Sequence, residues 1–210
     1  MRWCQVISPP RNRITLSRKG VYVMSQKMPP GQQAVARWPV RTAEQMPKDT
    51  TPEHWTLKIS GLVDEEVILS WVQIQALKVV ELKRDFHCVE TWSVMDNIWK
   101  GVLVRDVLAK VAIKPQADFA MIHSWGGYTS DIDLNALMAD DTMLAWERNG
   151  KPIPPEHGYP LRLIVPDRYA YKSVKWVVEI ELMQGDRPGY WEERGYHRRA
   201  DVWKAERFQD

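Results

Sequence analysis

The stretch Asn149-Gly150-Lys151-Pro152-Ile153-Pro154, continued by His157-Gly158-Tyr159-Pro160-Leu161-Arg162-Leu163-Ile164-Val165-Pro166, decides how this chain is read. Asn-Gly is a hairpin signal, because both residues tolerate positive φ. Gly158 and Pro160 set a tight bend that lets backbone approach a ligand. Leu161 to Val165 then reads as a strand, and Val174 to Leu182 as a second; these are the two strongest strands in the chain. Into this apolar frame the sequence sets His157, Arg162 and Lys175, with Ser173-Val174-Lys175 able to offer backbone N–H groups. Taken singly, Arg162 and Lys175 read as the solvated ends of strands; taken together with N–H groups on a turn, they would also suit a phosphate.

Upstream, Trp55 to Ser60 alternates apolar and polar and then meets Gly61, which predicts a half-buried strand and a turn. Val67-Ile68-Leu69 is a short strand, and Ser70 caps a helix through Leu77. Val80, Leu82, Arg84, Phe86 and Cys88 share a strand face; Leu103, Val107, Leu108 and Val111 fit a helix. Phe119 to Ser124 is a strand before a Gly126-Gly127 turn, Asp133 caps a helix through Ala139, and Met143 to Glu147 is a strand. Strands outnumber short, scattered helices, so the expected class is α+β, with mixed sheets and helices at their sides.

Composition bounds the function. The 210 residues suit one domain able to bury a core without staples. Lys+Arg 29 against Asp+Glu 27 leaves +2, which lacks the basic excess of a nucleic-acid binder. Two cysteines, Cys4 and Cys88, exclude a disulfide framework and any all-cysteine zinc or iron–sulfur site. No run approaches the roughly 18 apolar residues of a spanning helix, so no membrane segment is expected. Residues 1–35 read as a poorly ordered tail without an export signal, and 36–210 as the domain; a cytoplasmic location is the expectation. Eleven Trp is the odd feature of the composition: it suits a core, or the wall of a cofactor cleft.

Cys88 lies in Phe86-His87-Cys88-Val89-Glu90-Thr91-Trp92-Ser93. A lone cysteine ending a strand is most often a small buried hydrophobe. A hydrolase would pair it with a histidine, and His157 is available. Zinc is disfavoured, because strand neighbours His87 and Cys88 point to opposite faces. The remaining reading is one thiolate on a soft metal whose other ligands come from a cofactor.

Cys88-Val89-Glu90-Thr91-Trp92-Ser93, followed by Trp99-Lys100-Gly101-Val102, resembles the molybdenum-ligand segment of the sulfite oxidase superfamily. The closest likeness is to small bacterial sulfite oxidase-like oxidoreductases and to the catalytic subunit of protein-methionine-sulfoxide reductase. The run from Asn149 to Trp176 resembles the same family's pterin-binding half, and the resemblance covers roughly Trp38 to Trp203. It implies a sulfite oxidase-type molybdopterin-binding fold with one molybdenum-molybdopterin per chain and no haem. Cys88 becomes the metal ligand; His157, Arg162, Ser173, Val174 and Lys175 fall on pterin positions, with Ser124 and Thr42 as weaker matches.

Trp38-Pro39-Val40-Arg41-Thr42 resembles the family segment whose arginine faces the substrate oxyanion. Trp191 to Tyr196 resembles the segment whose tyrosine lies over the metal. A phenol suits proton transfer and an arginine suits an anionic substrate, so Arg41 and Tyr196 are the catalytic candidates. The arginine pair that follows the ligand cysteine in sulfite oxidases is replaced here by Trp92-Ser93-Val94, which depletes the positive sulfite pocket. The expected activity is two-electron oxygen-atom transfer on a small S-oxide, N-oxide or sulfite-like substrate, with an electron donor or acceptor protein as partner. The alternatives are a non-catalytic cofactor-binding scaffold of the same fold, or a cysteine hydrolase using Cys88 and His157.

Overall fold

A computed structural model describes residues 28–209, together with the backbone of two short strands ahead of them. These are β1 (Arg13–Leu16) and β2 (Tyr22–Ser25), an antiparallel pair. Apart from them, the tail up to residue 27, Cys4 included, lies outside the described residues. The strands that follow are β3 (Gln33–Ala34), β4 (Thr56–Gly61), β5 (Val67–Ser70), β6 (Val79–His87), β7 (Trp92–Leu103), β8 (Phe119–Ser124), β9 (Thr129–Asp133), β10 (Met143–Arg148), β11 (Lys151–Pro152), β12 (Arg162–Ile164) and β13 (Val177–Met183). Three one-turn helices join them: α1 (Trp71–Gln75), α2 (Val104–Leu108) and α3 (Leu134–Leu137).

One sheet runs β11-β10-β7-β3, with β12 also on β10 and β6 on β7; the other runs β5-β4-β13-β8-β9. Among the described strands only β3 on β7 and β4 on β13 are parallel, so the architecture is α+β with mixed sheets and short helices, as expected. The centre of the first sheet is buried on both faces at β10, while β3, β11 and much of β6 are exposed. Along β10, Leu144 and Trp146 join a core shared with Leu57, Ile59, Ile122 and Ile180 of the second sheet. Met143 and Ala145 point the other way, into a cluster with Phe86, Trp99 and Ile164. Side-chain alternation puts successive residues on opposite faces, so a strand covered on both sides reads as an unbroken apolar run.

Local signals set several boundaries. Ser70 and Gln73 form a reciprocal capping box at α1, and the Asp133 carboxylate accepts from Ala136 N–H at α3. Both helices stop earlier than their sequence spacing predicts, after a single turn. Asn149 and Gly150 take φ 52° and 72° in the β10–β11 hairpin.

Three differences from the sequence reading bear on the site. The strand expected from Val174 begins at Val177, because Trp176 adopts a left-handed φ of 51° that takes residues 174–176 off the ladder. The 12-residue β7, which pairs along nearly all of β6, was not predicted. Its middle, Met95-Asp96-Asn97, carries a bulge against Asp85 with Asp96 at φ 60°, and that breaks the alternation. Gln33 and Ala34, on the tail side of the boundary drawn at residue 36, pair with Trp92 and Ser93.

Candidate functional site

Cys88 sits where β6 turns into β7. Its N–H donates to Trp92 O (2.9 Å), and Thr91 N–H, on a residue at φ 75°, donates to Cys88 O (3.1 Å). Gln32 Nε2 also donates to Cys88 O (3.1 Å), while Gln32 Oε1 accepts from Ser93 Oγ (2.9 Å) and His87 Nδ1 meets that same hydroxyl at 2.8 Å. This buried chain fixes the loop from behind, with His87 on the far side of the strand from Cys88. Burial pushes the Cys88 thiol up to about 11.

Cys88 opens into a cavity of about 320 Å3 that also receives Arg41, Thr42, His157, Arg162, Ser173, Val174, Lys175 and Tyr196. Residues scattered over more than 150 positions of sequence therefore meet in one place, and among the predicted site residues only Ser124 does not line it. Ser124 gives its hydroxyl to the Glu44 carboxylate, whose other oxygen accepts from Tyr128 N–H (3.1 Å). Gly126 makes room for that carboxylate, since a Cβ there would lie 2.3 Å from Glu44 Oε2. The Thr42 hydroxyl is used locally, donating to Glu44 O (2.8 Å).

One end of the cavity is cationic. Arg162, on β12, is buried among Trp38 (5.1 Å) and Phe86 (4.9 Å), donates to His157 O, and leaves Nε without a partner. Lys175 lies on the backbone that leaves the ladder, its Nζ 3.0 Å from Glu156 O and 4.3 Å from the Trp176 ring. Gly158, at φ 110°, allows this approach: a Cβ there would meet Lys175 Cβ at 2.9 Å. The His157 ring stacks on Trp38 at 3.9 Å and 10°, and the Arg148 guanidinium lies 4.8 Å from that same Trp38 ring. Among the described residues no carboxylate reaches Arg148, Arg162 or Lys175 at ion-pair distance. Burial, then Arg162, pulls Lys175 down to about 7. Burial, then Arg162, Lys175 and Arg148, pulls His157 down to about 4. Ser173 N–H is spent on Ala170 O (3.0 Å), so of the three N–H groups proposed as donors, those of Val174 and Lys175 remain for a ligand among the described residues.

The other end surrounds Cys88. Tyr196 stacks on Trp191 (4.8 Å) and meets Tyr171 edge-on (5.1 Å); burial, Cys88 and Glu90 raise its phenol, which stays protonated. Arg41 is exposed and donates through Nε to both oxygens of Glu90, at 2.7 and 3.0 Å. Glu44, Glu90, Arg148 and Gln32 were not singled out from sequence. Glu90 stood two positions from Cys88 in the quoted segment, and that spacing was the one signal available.

A larger cavity of about 590 Å3 lies elsewhere, and most of the charges lining it are paired, among them Arg168 with Asp133, Arg198 with Asp186 and Lys172 with Asp131. The hydrolase reading fails on the same chemistry that marks the site. Among the described residues no hydrogen bond joins Cys88 to His157, and a thiol pushed up to about 11 and an imidazole pulled down to about 4 are both neutral, the reverse of a thiolate–imidazolium pair. Among the described residues no three His, Cys, Asp or Glu side chains gather to hold a metal, so a metal here must bring its other ligands with it.

Comparison with known proteins agrees with this geometry. An uncharacterised oxidoreductase of Bacillus subtilis, YuiH, is 38% identical over 184 residues, 88% of this chain and 93% of that protein. The protein-methionine-sulfoxide reductase catalytic subunit MsrP of Campylobacter jejuni is 26% identical over 72% of this chain and 57% of its own length. In fold, the chain is similar to the sulfane dehydrogenase SoxCD of Paracoccus pantotrophus, with a TM-score of 0.63 and 20% identity over 70% of this chain and 42% of that one. The profile of the oxidoreductase molybdopterin-binding domain matches residues 43–191, from the Thr42 loop to Trp191 beside the stacked tyrosine. This chain belongs to that family, the sulfite oxidase superfamily, and is a molybdopterin-dependent oxidoreductase.

Proposed function

We propose that this oxidoreductase transfers oxygen atoms to or from a small S-oxide, N-oxide or sulfite-like substrate, in two-electron steps. The observation that carries the reading is the single cavity joining Cys88, Arg41 and Tyr196 to the cationic end at His157, Arg162 and Lys175.

The residues fit the cofactor. The cationic end has uncompensated buried charge and an orphaned Arg162 Nε, and a phosphate-bearing pterin tail would satisfy both. His157, held neutral and flat against Trp38, offers a ring nitrogen to the pterin. Cys88 presents the one soft donor, and the network through Gln32 holds its loop in place. When bound, the molybdenum centre supplies the two-electron redox chemistry. The chain's own residues do the rest. Tyr196 holds a proton on its phenol at the Cys88 end and can give it to a departing oxide oxygen. Trp191 fixes that ring by stacking, and Trp92 and Tyr171 line the walls beside it.

Relatives named as methionine-sulfoxide reductases favour S-oxide reduction as the direction. The electrons would come from a separate partner protein. No helix among the described residues is long and apolar enough to cross a membrane.

The test is metal and pterin analysis of protein from a molybdenum-replete host, beside Cys88→Ser, with S-oxide and N-oxide turnover driven by a reduced dye. Molybdenum and pterin near one per chain, with turnover lost and pterin retained in the variant, support the assignment. Unchanged turnover in Cys88→Ser overturns it. Holoprotein that no sulfur or nitrogen oxide reoxidises points instead to a cofactor-binding scaffold.

A further inference from the structure

The polar groups behind Cys88 form a hydrogen-bond chain whose direction is fixed at one end. Cys88 O is a carbonyl and can only accept, so the Gln32 group that faces it at 3.1 Å is the amide nitrogen. That turns Gln32 Oε1, an acceptor, towards Ser93, whose hydroxyl spends its one proton there at 2.9 Å. The same hydroxyl meets His87 Nδ1 at 2.8 Å and has only a lone pair left to offer, so Nδ1 carries a proton and donates it. Each link therefore donates in the same sense, from His87 through Ser93 and Gln32 to the peptide of the cysteine, and aligned links strengthen one another. His87, Ser93 and Gln32 are all buried, so solvent is a poor substitute for a missing link. They also come from different elements. His87 ends β6, Ser93 lies in β7 and Gln32 stands just ahead of β3, so the chain ties together the three segments that frame the cysteine loop.

We propose that His87 is a positioning residue for Cys88: its Nδ1–H, acting through Ser93 and Gln32, holds the cysteine loop and so sets how Sγ is presented to the metal. The proposal rests on Cys88 as the metal ligand and is independent of the substrate. The competing role for His87 is packing, since its ring meets Trp203 edge-on at 6.4 Å, and any ring would serve there.

Two variants separate donor from filler. His87→Asn puts an amide N–H where Nδ1 stood and drops the ring; His87→Phe keeps a ring and drops the donor. In cofactor-free protein the readout is alkylation of Cys88 by iodoacetamide, followed by mass at the peptide that carries it, because a buried thiol reacts only when its loop opens. His87→Phe is expected to react about 10-fold faster, the order of one buried hydrogen bond lost, and His87→Asn within about threefold of wild type. In holoprotein the readout is the EPR spectrum of the half-reduced molybdenum centre, which should shift in His87→Phe and return to the wild-type form in His87→Asn. Ser93→Ala cuts the chain at its next link and should match His87→Phe in both readouts, which keeps the test alive if His87→Phe does not fold. His87→Asn as fast as His87→Phe, His87→Phe indistinguishable from wild type, or faster alkylation with unchanged EPR spectra each overturns the proposal. So does an unprotonated His87 Nδ1 in long-range 1H–15N correlation spectra of histidine-labelled protein. None of these readouts uses an oxide substrate, so a failure of the oxygen-transfer reading is seen separately, in turnover alone.

Discussion

Arg162→Met should act in opposite directions on the cofactor-free and the loaded protein. In the cofactor-free protein Arg162 is a buried guanidinium with one backbone acceptor, two aromatic rings and no counter-ion among the described residues. Losing those contacts costs roughly 2–4 kcal/mol, from one charge-assisted hydrogen bond and two cation–π contacts. Against that stands the desolvation of a buried cation, several kcal/mol. To this is added its repulsion of Lys175 and His157, the second cause of the displacement of each to about 7 and about 4. Methionine fills much of the same volume, and the space it leaves joins an existing cavity rather than creating a sealed void. The balance favours the variant by roughly 1–2 kcal/mol, or about 2–8 °C in Tm for a domain of this size. In the loaded protein the same change removes charge-assisted bonds to the anionic tail, each on the order of 1.5–3 kcal/mol, so pterin retention should fall at least 10-fold. The assay is thermal unfolding of protein from a host unable to make molybdopterin, set beside pterin content of protein from a competent host. A cofactor-free variant that melts several degrees below wild type would refute the argument, because Arg162 would then be a structural residue rather than a charge waiting for a ligand.

Other consequences follow from the same geometry. His157 titrates near 4 instead of 6.5, so the unfolded chain binds the extra proton first: stability from the neutral ring is complete above about pH 6.5 and is lost as pH falls toward 4. Unfolding of cofactor-free protein across that window should lose this part of its slope in His157→Gln and in pyrophosphate; equal slopes for all three would exclude an anion site. Gly158→Ala forces a side chain to φ 110° and against the Cβ of Lys175 at 2.9 Å. It should destabilise by about 2–4 kcal/mol and empty the protein of pterin, as read by denaturant unfolding and pterin fluorescence. Lys172→Met strands Asp131 and Glu192, both buried against its ammonium, and should cost about 3–5 kcal/mol in chemical denaturation; a loss under 1 kcal/mol would mean those carboxylates are neutral without it.

The fold class and most elements were legible because they depend on local chemistry. Asn149-Gly150 and the Ser70 and Asp133 caps act within four residues, and their signals survive into the structure. β7 was not legible, because its bulge at Asp96 is stabilised from another strand: Asp96 N–H donates to Asp85 Oδ1 at 2.7 Å. From sequence, Asp96-Asn97 is a turn signal, and only the partner strand makes it a bulge. β9 was hidden similarly, since Ser130 and Asp131 are buried polar residues that Glu192 and Lys172 satisfy from far along the chain. Trp176 escaped for the opposite reason: a bulky residue at positive φ is rare, and the apolar run around it reads as uninterrupted strand.

The site divides along the same line. Arg162 and Lys175 stand out against an apolar background in a short ordered run. Carboxylates do not, since a glutamate on a loop is indistinguishable from a solvated one until its partner is known. Glu44 came into view only with the Ser124–Tyr128 turn, and Glu90 only with Arg41. The residues proposed to hold the cofactor were reached through the resemblance of an ordered run of sequence to the family's, since either cation alone reads as a solvated strand end. Whether a cation is partnered depends on where a second charge lies, and that is a property of distance. Arg41 alone, read in sequence, argues for an anionic substrate; Arg41 at 2.7 Å from Glu90 is a charge already partnered, which the sequence does not show.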